Sequence, residues 1–543
     1  MSVVTETGQI VAVLSMLHEP AGTNSATRRF RGRPVLDWTL RRLGAAASVG
    51  TAVVLCWDDQ AEAVEAVSAV AERDGVSVLS RGPRQAVPSL LAVAAARRWS
   101  EGWRGGLLGT CEFDLGYHPA WTHELAELHD AAAVLLVDPA AGLIDPVLVD
   151  GLGEHAGAQP TAELCFMQAA PGLAATLVRR ELVTRLATAD VPPGRLLTYS
   201  PDSHGVDPIA KNGCAPCPTP VARTTYRFKL DSDRQIDRAT AAMVHLNGHL
   251  ASTEAEELVT HMRDAERTDR LPRDVVLELN TARLSKPIYW PGRSLSIERP
   301  DLTLSIARQL IAELATVDDV RLTLAGVGDP LLSPVWGDVV AAAVEAGVAV
   351  HVETDLLSAG DDDIRRLAST GIDVVSVHLP ATTGRTYAAV MGVDAATAVV
   401  GRLRHLQAIA LGTPLVVPTF TKTAANLAEM EAWYDYWVRA AGHAVVVGPT
   451  TFNGRLPDVG VADMAPPKRR PCARLSSRLT ILSDGTIVSC EQDVTATQPM
   501  GRIGEQRLTD IWRDRFASLH ACHVAGRWAE QPLCGGCSEW HRP

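Results

Sequence analysis

The feature that most constrains this chain is a group of cysteines crowded at its C-terminal end. Of ten cysteines in 543 residues, five lie at or beyond position 472. Twelve residues separate Cys472 from Gly485, four separate Gly485 from Cys490, and Cys534 and Cys537 form a C-x-x-C pair. The segment Arg478 to Cys490, RLTILSDGTIVSC, reads as a hairpin whose Asp484-Gly485 turn returns the second strand toward the first cysteine. A Pro- and Arg-rich break, Ala465 to Pro471, opens the module of residues 466–543, which holds too little apolar material for a core of its own. Modules of that kind need a metal staple. Four soft thiolates complete one [4Fe–4S] cluster, and four also make a structural zinc set. Cys472, Cys490, Cys534 and Cys537 are therefore the candidate ligands, and Cys522, on the helix before the last turn, reads as a packed thiol.

The remainder of the chain is globular in composition, with 46% hydrophobic and 21% charged residues. Its net charge is −12, and the 51 Lys and Arg residues are scattered among acids. Phosphate-backbone binding needs a basic stripe, so nucleic acid is not an expected partner. Met1 to Gln9 carries Glu6 and no basic n-region, so no signal peptide is expected. No apolar window approaches the roughly 18 residues of a membrane span. Cysteines placed for metal ligation rather than as a disulfide framework suit a reducing cytoplasm.

Apolar β-type runs alternate with Ala-rich amphipathic stretches from Ile10 onward, which predicts an α/β fold built from βαβ units. A second series of six runs begins at Val275 to Leu279 and continues through Arg321 to Leu324, Val348 to Val352, Val374 to Val377, Leu415 to Pro418 and Ala444 to Val447. Strands and helices in that order fit a partial (β/α)6 barrel. The expected domains are residues 1–250, a linker helix at 251–271, the barrel at 272–465 and the cysteine module at 466–543.

The tail resembles the SPASM or twitch module of radical SAM proteins. The likeness rests on the C-x12-G-x4-C start, Gly501-Arg502-Ile503-Gly504 with Leu508-Thr509-Asp510-Ile511-Trp512, and the run from His523 to Cys537. The barrel likewise resembles the radical SAM family. Leu277-Glu278-Leu279-Asn280-Thr281 is similar to its first strand, and Gly326-Val327-Gly328-Asp329-Pro330 to its GGEP segment; Val375-Ser376-Val377-His378-Leu379 is similar to its fourth strand. On that register the family's CxxxCxxC positions fall on Arg283, Pro287 and Trp290, none of which can ligate iron. Gly326, Gly328, Asp329 and Ser376 would line a vestigial S-adenosylmethionine pocket. Cys214-Ala215-Pro216-Cys217 is a separate C-x-x-C in a Pro-rich loop, a candidate second metal or redox pair that could recruit Cys165.

The first strand runs into the loop His18 to Arg33 and then Pro34-Val35-Leu36. This arrangement, with Thr225 to Asp231 near the domain's end, resembles nucleotidyltransferases of the cytidylyltransferase type and implies a Rossmann-like domain. A nucleotide or nucleotide-sugar would then meet Arg28 and Arg33, with Asp114 as carboxylate for magnesium. Three functions follow from these resemblances. The first is an iron–sulfur protein with a binding, electron-transfer or scaffold role beside a partner enzyme or redox protein. The second is nucleotidyl or glycosyl transfer by the N-terminal domain in cell-envelope sugar metabolism. The third is a radical SAM enzyme whose cluster has non-standard ligands.

Overall fold

A computed structural model describes residues 9–70, 75–203, 207–246, 249–264 and 269–542. The signal-peptide expectation for residues 1–8 and the last part of the charged stretch, residues 265–268, lie outside the described residues. The chain forms two compact units, residues 1–268 and 269–543.

The N-terminal unit is a seven-stranded sheet with helices on its faces. Its strands are β1 (Ile10–Ser15), β2 (Thr51–Cys56), β3 (Val76–Ser80), β4 (Ala133–Val137), β5 (Leu164–Met167), β6 (Thr176–Arg179) and β7 (Cys214–Ala215). They lie in the order β3-β2-β1-β4-β6-β5-β7, with β6 antiparallel to both its neighbours. The central strands IVAVLS and AVLLV are apolar almost throughout, because helices cover both faces. From β1 the chain moves outward to β2 and β3, then crosses back to β4 on the other side. That reversal makes the carboxyl ends of β1 and β4 the switch point at which open α/β sheets usually bind ligands. The helix Ala255–Asp264 packs Leu258, Val259 and Met262 into this unit's core.

The second unit carries six consecutive parallel strands: β8 (Asp274–Leu277), β9 (Arg321–Leu324), β10 (Ala349–Thr354), β11 (Val374–His378), β12 (Leu415–Thr421) and β13 (Val445–Val447). Neighbours in sequence are neighbours in space, as in a barrel wall that has not closed. Alternation along each strand separates two faces. In β10, Val350 and Val352 are buried in the core shared with the helices, whereas His351 and Glu353 alternate with them on the inner face.

Beyond the six, the tail adds β14 (Arg478–Ile481), β15 (Thr486–Val488) and β16 (Pro499–Arg502) to the same sheet. β14 pairs parallel with β8 and antiparallel with β15, so the hairpin read from the sequence is present. Its turn depends on Gly485 at φ +88°, a conformation open to glycine at little cost.

One buried carboxylate joins barrel and tail. Glu278, just past β8, accepts hydrogen bonds from Arg299 at 2.6 and 3.0 Å, from Val327 N at 2.9 Å and from Ser483 N at 3.1 Å. Arg299 also donates to Val494 O at 2.6 Å, beyond the hairpin. Removing one partner of a buried pair costs about 3 kcal/mol or more. Glu278→Ala should therefore destabilise the second unit by about that much in urea unfolding, and should hasten proteolysis of the tail relative to the barrel helices.

Candidate metal centre and its surroundings

Three separate stretches of the tail bring the four candidate thiols to the wall of one cavity. Cys472 precedes the 3-10 turn Ala473–Ser476, Cys490 follows β15, and Cys534 and Cys537 sit on the terminal turn. All four line the cavity together with Arg474, Ser489 and His523. The thiols ring this space rather than meeting at a point: among the described residues no three His, Cys, Asp or Glu side chains come together closely enough for a single metal ion. Cys522 is outside the ring, its Sγ directed to Arg527 O at 3.2 Å.

The surroundings are cationic. Arg474 lies 3.8 Å from the Cys490 sulfur and pairs with Glu491 at 3.0 Å; Arg469 donates to Cys534 O at 2.8 Å. Burial, reinforced by neighbouring thiols, pushes Cys534 up to about 12, and burial with the Glu491 charge raises Cys490 above the ordinary thiol range. A buried set of this kind deprotonates readily only when a metal supplies the positive charge, so its chemistry suits metal ligation. His523 is held neutral by burial and by Arg469, its pKa lowered to about 4.

At the barrel mouth, Arg283 lies 4.2 Å above the Trp290 ring and pairs with Asp355 at 2.7 Å. It also donates to Val327 O and Gly328 O. Ser285 gives Asp355 a second hydrogen bond, and Trp290 donates to Val327 O at 2.8 Å. Pro287 is buried between them in sequence. Asp329 is buried and its oxygens accept from Thr354 Oγ1, Asp355 N and Leu331 N. Burial first, and then the Asp355 charge, raise its pKa. Gly326 and Gly328 permit tight packing: a Cβ would lie 2.6 Å from Glu278 at the first and 2.2 Å from Asn280 at the second. Ser376 faces His351 Nε2 at 2.8 Å.

Residues 472–538 match the SPASM iron–sulfur cluster-binding domain. An uncharacterized protein of Treponema pallidum (strain Nichols) is 28% identical over 304 residues, 52% of this chain and 82% of that protein. Similar solved structures include BtrN in complex with AdoMet and 2-DOIA (19% identity, 50% of this chain and 94% of that chain, TM-score 0.35). Streptococcus suis SuiB bound to S-adenosylmethionine is also similar (12%, 56% and 84%, TM-score 0.42). No helix among the described residues is long and apolar enough to cross a membrane.

Away from the SPASM match, the N-terminal residues singled out from the sequence have separate partners. Arg28 pairs with Asp233 at 2.5 Å and Arg33 with Asp37 at 3.1 Å, while Asp114 is buried and accepts from Cys111 N and Gly194 N. Cys214, on β7, and Cys217 are both half-buried, and burial raises both thiols. Cys165 is buried on the adjoining strand β5.

The carboxyl ends of β1 and β4 hold a different group, of which the sequence had singled out only the run Thr225 to Asp231. Asp138 pairs with Lys229, both almost wholly buried, and Asp231 pairs with Arg227. Glu112 accepts from Gly172 N, and the carboxyl of Glu19 accepts from Ser25 N at 2.8 Å and Ser25 Oγ at 2.6 Å. Burial lowers His18 to about 4. Burial opposes ionisation of Asp231, yet Arg227 and Lys229 outweigh it and hold that carboxyl below its usual value. Asp138 and Lys229 lie far apart along the chain, so only the fold reveals that pair, whereas Arg227 and Asp231 are four residues apart.

Burial raises the Glu19 carboxyl from 4.5 to about 7. A raised acid contributes stability that is full below the unfolded value and is lost as pH rises through the folded one, here between about 4.5 and 7. Glu19→Gln should remove this loss, so that from pH 5 to pH 8 the variant gains on the wild type by up to about 3 kcal/mol in chemical unfolding.

Proposed function

We propose that this chain is an iron–sulfur protein. Its tail would hold one [4Fe–4S] cluster on Cys472, Cys490, Cys534 and Cys537, beside a radical-SAM-like barrel that does not cleave S-adenosylmethionine. The observation that carries the reading is the single cavity walled by all four thiols within the SPASM match. Such a cluster, when bound, supplies one-electron transfer. The chain's own residues enclose it: Arg474 and Arg469 place positive charge beside the thiolates, and Leu475, Leu533 and Trp540 limit water.

The barrel reading is supported by composition and by packing. Residues 272–465 contain no cysteine, and the Arg283–Trp290 stack, tied down by Asp355, fills the place where the resemblance puts a reactive cluster. The role that remains is binding, electron transfer or scaffolding for a partner enzyme or redox protein in the cytoplasm.

Anaerobic purification should yield about four irons per chain, with most of that iron lost in Cys490→Ala. Zinc in place of iron, or metal content unchanged in the variant, would sink the reading. Incubation with S-adenosylmethionine and a strong reductant should give no 5′-deoxyadenosine; its formation would mean a cluster on unexpected ligands.

A second reading, nucleotidyl or glycosyl transfer by the N-terminal unit, is favoured by the buried Asp138–Lys229 and Asp231–Arg227 pairs at the carboxyl ends of β1 and β4. Charged groups there suit phosphates, and any magnesium would compete with Lys229 for Asp138. Pyrophosphate release from CTP with magnesium and a sugar acid, abolished by Asp138→Asn, is the expected result. No release from the intact protein with any nucleoside triphosphate removes nucleotidyl transfer.

A further inference from the structure

The wall of the tail cavity contains hydrogen-bond donors that the protein itself leaves unused. His523 is 1% exposed, and its Nδ1 lies 3.4 Å from the backbone nitrogen of Cys472, which donates to it. A nitrogen that accepts carries no proton, so in the neutral ring the proton sits on Nε2. That Nε2 is buried and has no hydrogen-bond partner among the described residues. Ser489 presents the same situation: it is 1% exposed, and its hydroxyl is also buried without a partner among the described residues. Both residues line the space that the four cysteines surround. An unused buried donor is destabilising, and two in one wall point to an acceptor there.

The surrounding atoms limit what that acceptor can be. Besides His523 and Ser489, the cavity wall presents the thiols, the cationic Arg469 and Arg474, the amides of Asn453 and Gln492, the latter held by Thr450 and Glu539, and apolar side chains such as Leu533 and Trp540. Resting on the cluster reading above, we infer that His523 Nε2–H and Ser489 Oγ–H donate hydrogen bonds to the sulfurs of the bound cluster. Hydrogen bonds to cluster sulfurs stabilise the reduced, more negative state, and so raise the reduction potential. His523 and Ser489 are in this sense tuning residues. They ligate no iron, and they set how readily the centre accepts an electron from a redox partner.

The test is an EPR-monitored redox titration of the anaerobically purified full chain and of His523→Leu, His523→Gln and Ser489→Ala, with iron counted in each. His523→Leu should keep its iron and shift the midpoint potential to a more negative value. His523→Gln, whose amide can still donate, should recover part of the shift. Ser489→Ala, which removes only a hydroxyl, should shift the potential in the same direction, and it keeps the test open if the histidine variants lose iron. Pulsed EPR of the reduced wild-type protein should detect a coupled imidazole nitrogen that is absent in His523→Leu. Iron retained with an unmoved potential in both His523→Leu and Ser489→Ala would overturn the inference while leaving the cluster reading intact. A wild-type protein without iron would overturn both.

Discussion

The second unit depends on one carboxylate buried where barrel and tail meet. Glu278 leaves the end of β8 and gathers the Arg299 guanidinium, the Val327 amide and the Ser483 amide. Through Val327 it sets the loop that closes over Trp290; through Ser483 it sets the turn region between β14 and β15, and hence the approach of Cys490 to the cavity. Gly326 must be glycine for this to occur, since a side chain there would collide with the carboxylate stem. The cysteine module extends the barrel's sheet and, contrary to the expectation of too little apolar material, buries Leu479, Ile481, Ile487, Ile511 and Phe516 in the same core as the barrel. β14 is therefore as much a barrel strand as a tail strand.

Elements carried by local pattern were legible in the sequence. The six apolar runs of the barrel appear as β8 to β13, and the turn at Asp484-Gly485 appears where the dipeptide signalled it. The four thiols were legible because cysteine is rare and its spacing is informative. What could not be read was whatever depends on distant residues meeting. His523 was visible only as part of a run, and Ser489 looked like any serine beside a cysteine; their significance lies in a cavity that three separated stretches enclose. Lys229 belongs to the run Thr225 to Asp231 that the sequence singled out, but its partner Asp138 was one acid among many until the fold brought the two together. The residues chosen instead, Arg28, Arg33 and Asp114, had local loop context in their favour, and they hold to separate partners.

The two units handle buried charge differently. At the carboxyl ends of β1 and β4, Asp138 and Asp231 are paired with Lys229 and Arg227, whereas burial raises the Glu19 and Glu112 carboxyls toward neutrality. Around the cysteine cavity the nearby fixed charges include two arginines, which compensate a centre that is negative when its thiolates are ionised. These are opposite solutions to the same desolvation problem. The first draws both signs from the protein, and the second sets arginines beside thiols that burial keeps protonated.

The Arg283–Trp290 stack makes the residues of the barrel mouth depend on one another. Its guanidinium answers Asp355, its plane rests on the indole, and the indole nitrogen answers Val327. Losing Arg283 alone would leave the buried Asp355 without its cation, and losing Trp290 alone would leave a void beneath the guanidinium. Changes at this mouth are therefore non-additive, and the two positions are better exchanged together than one at a time.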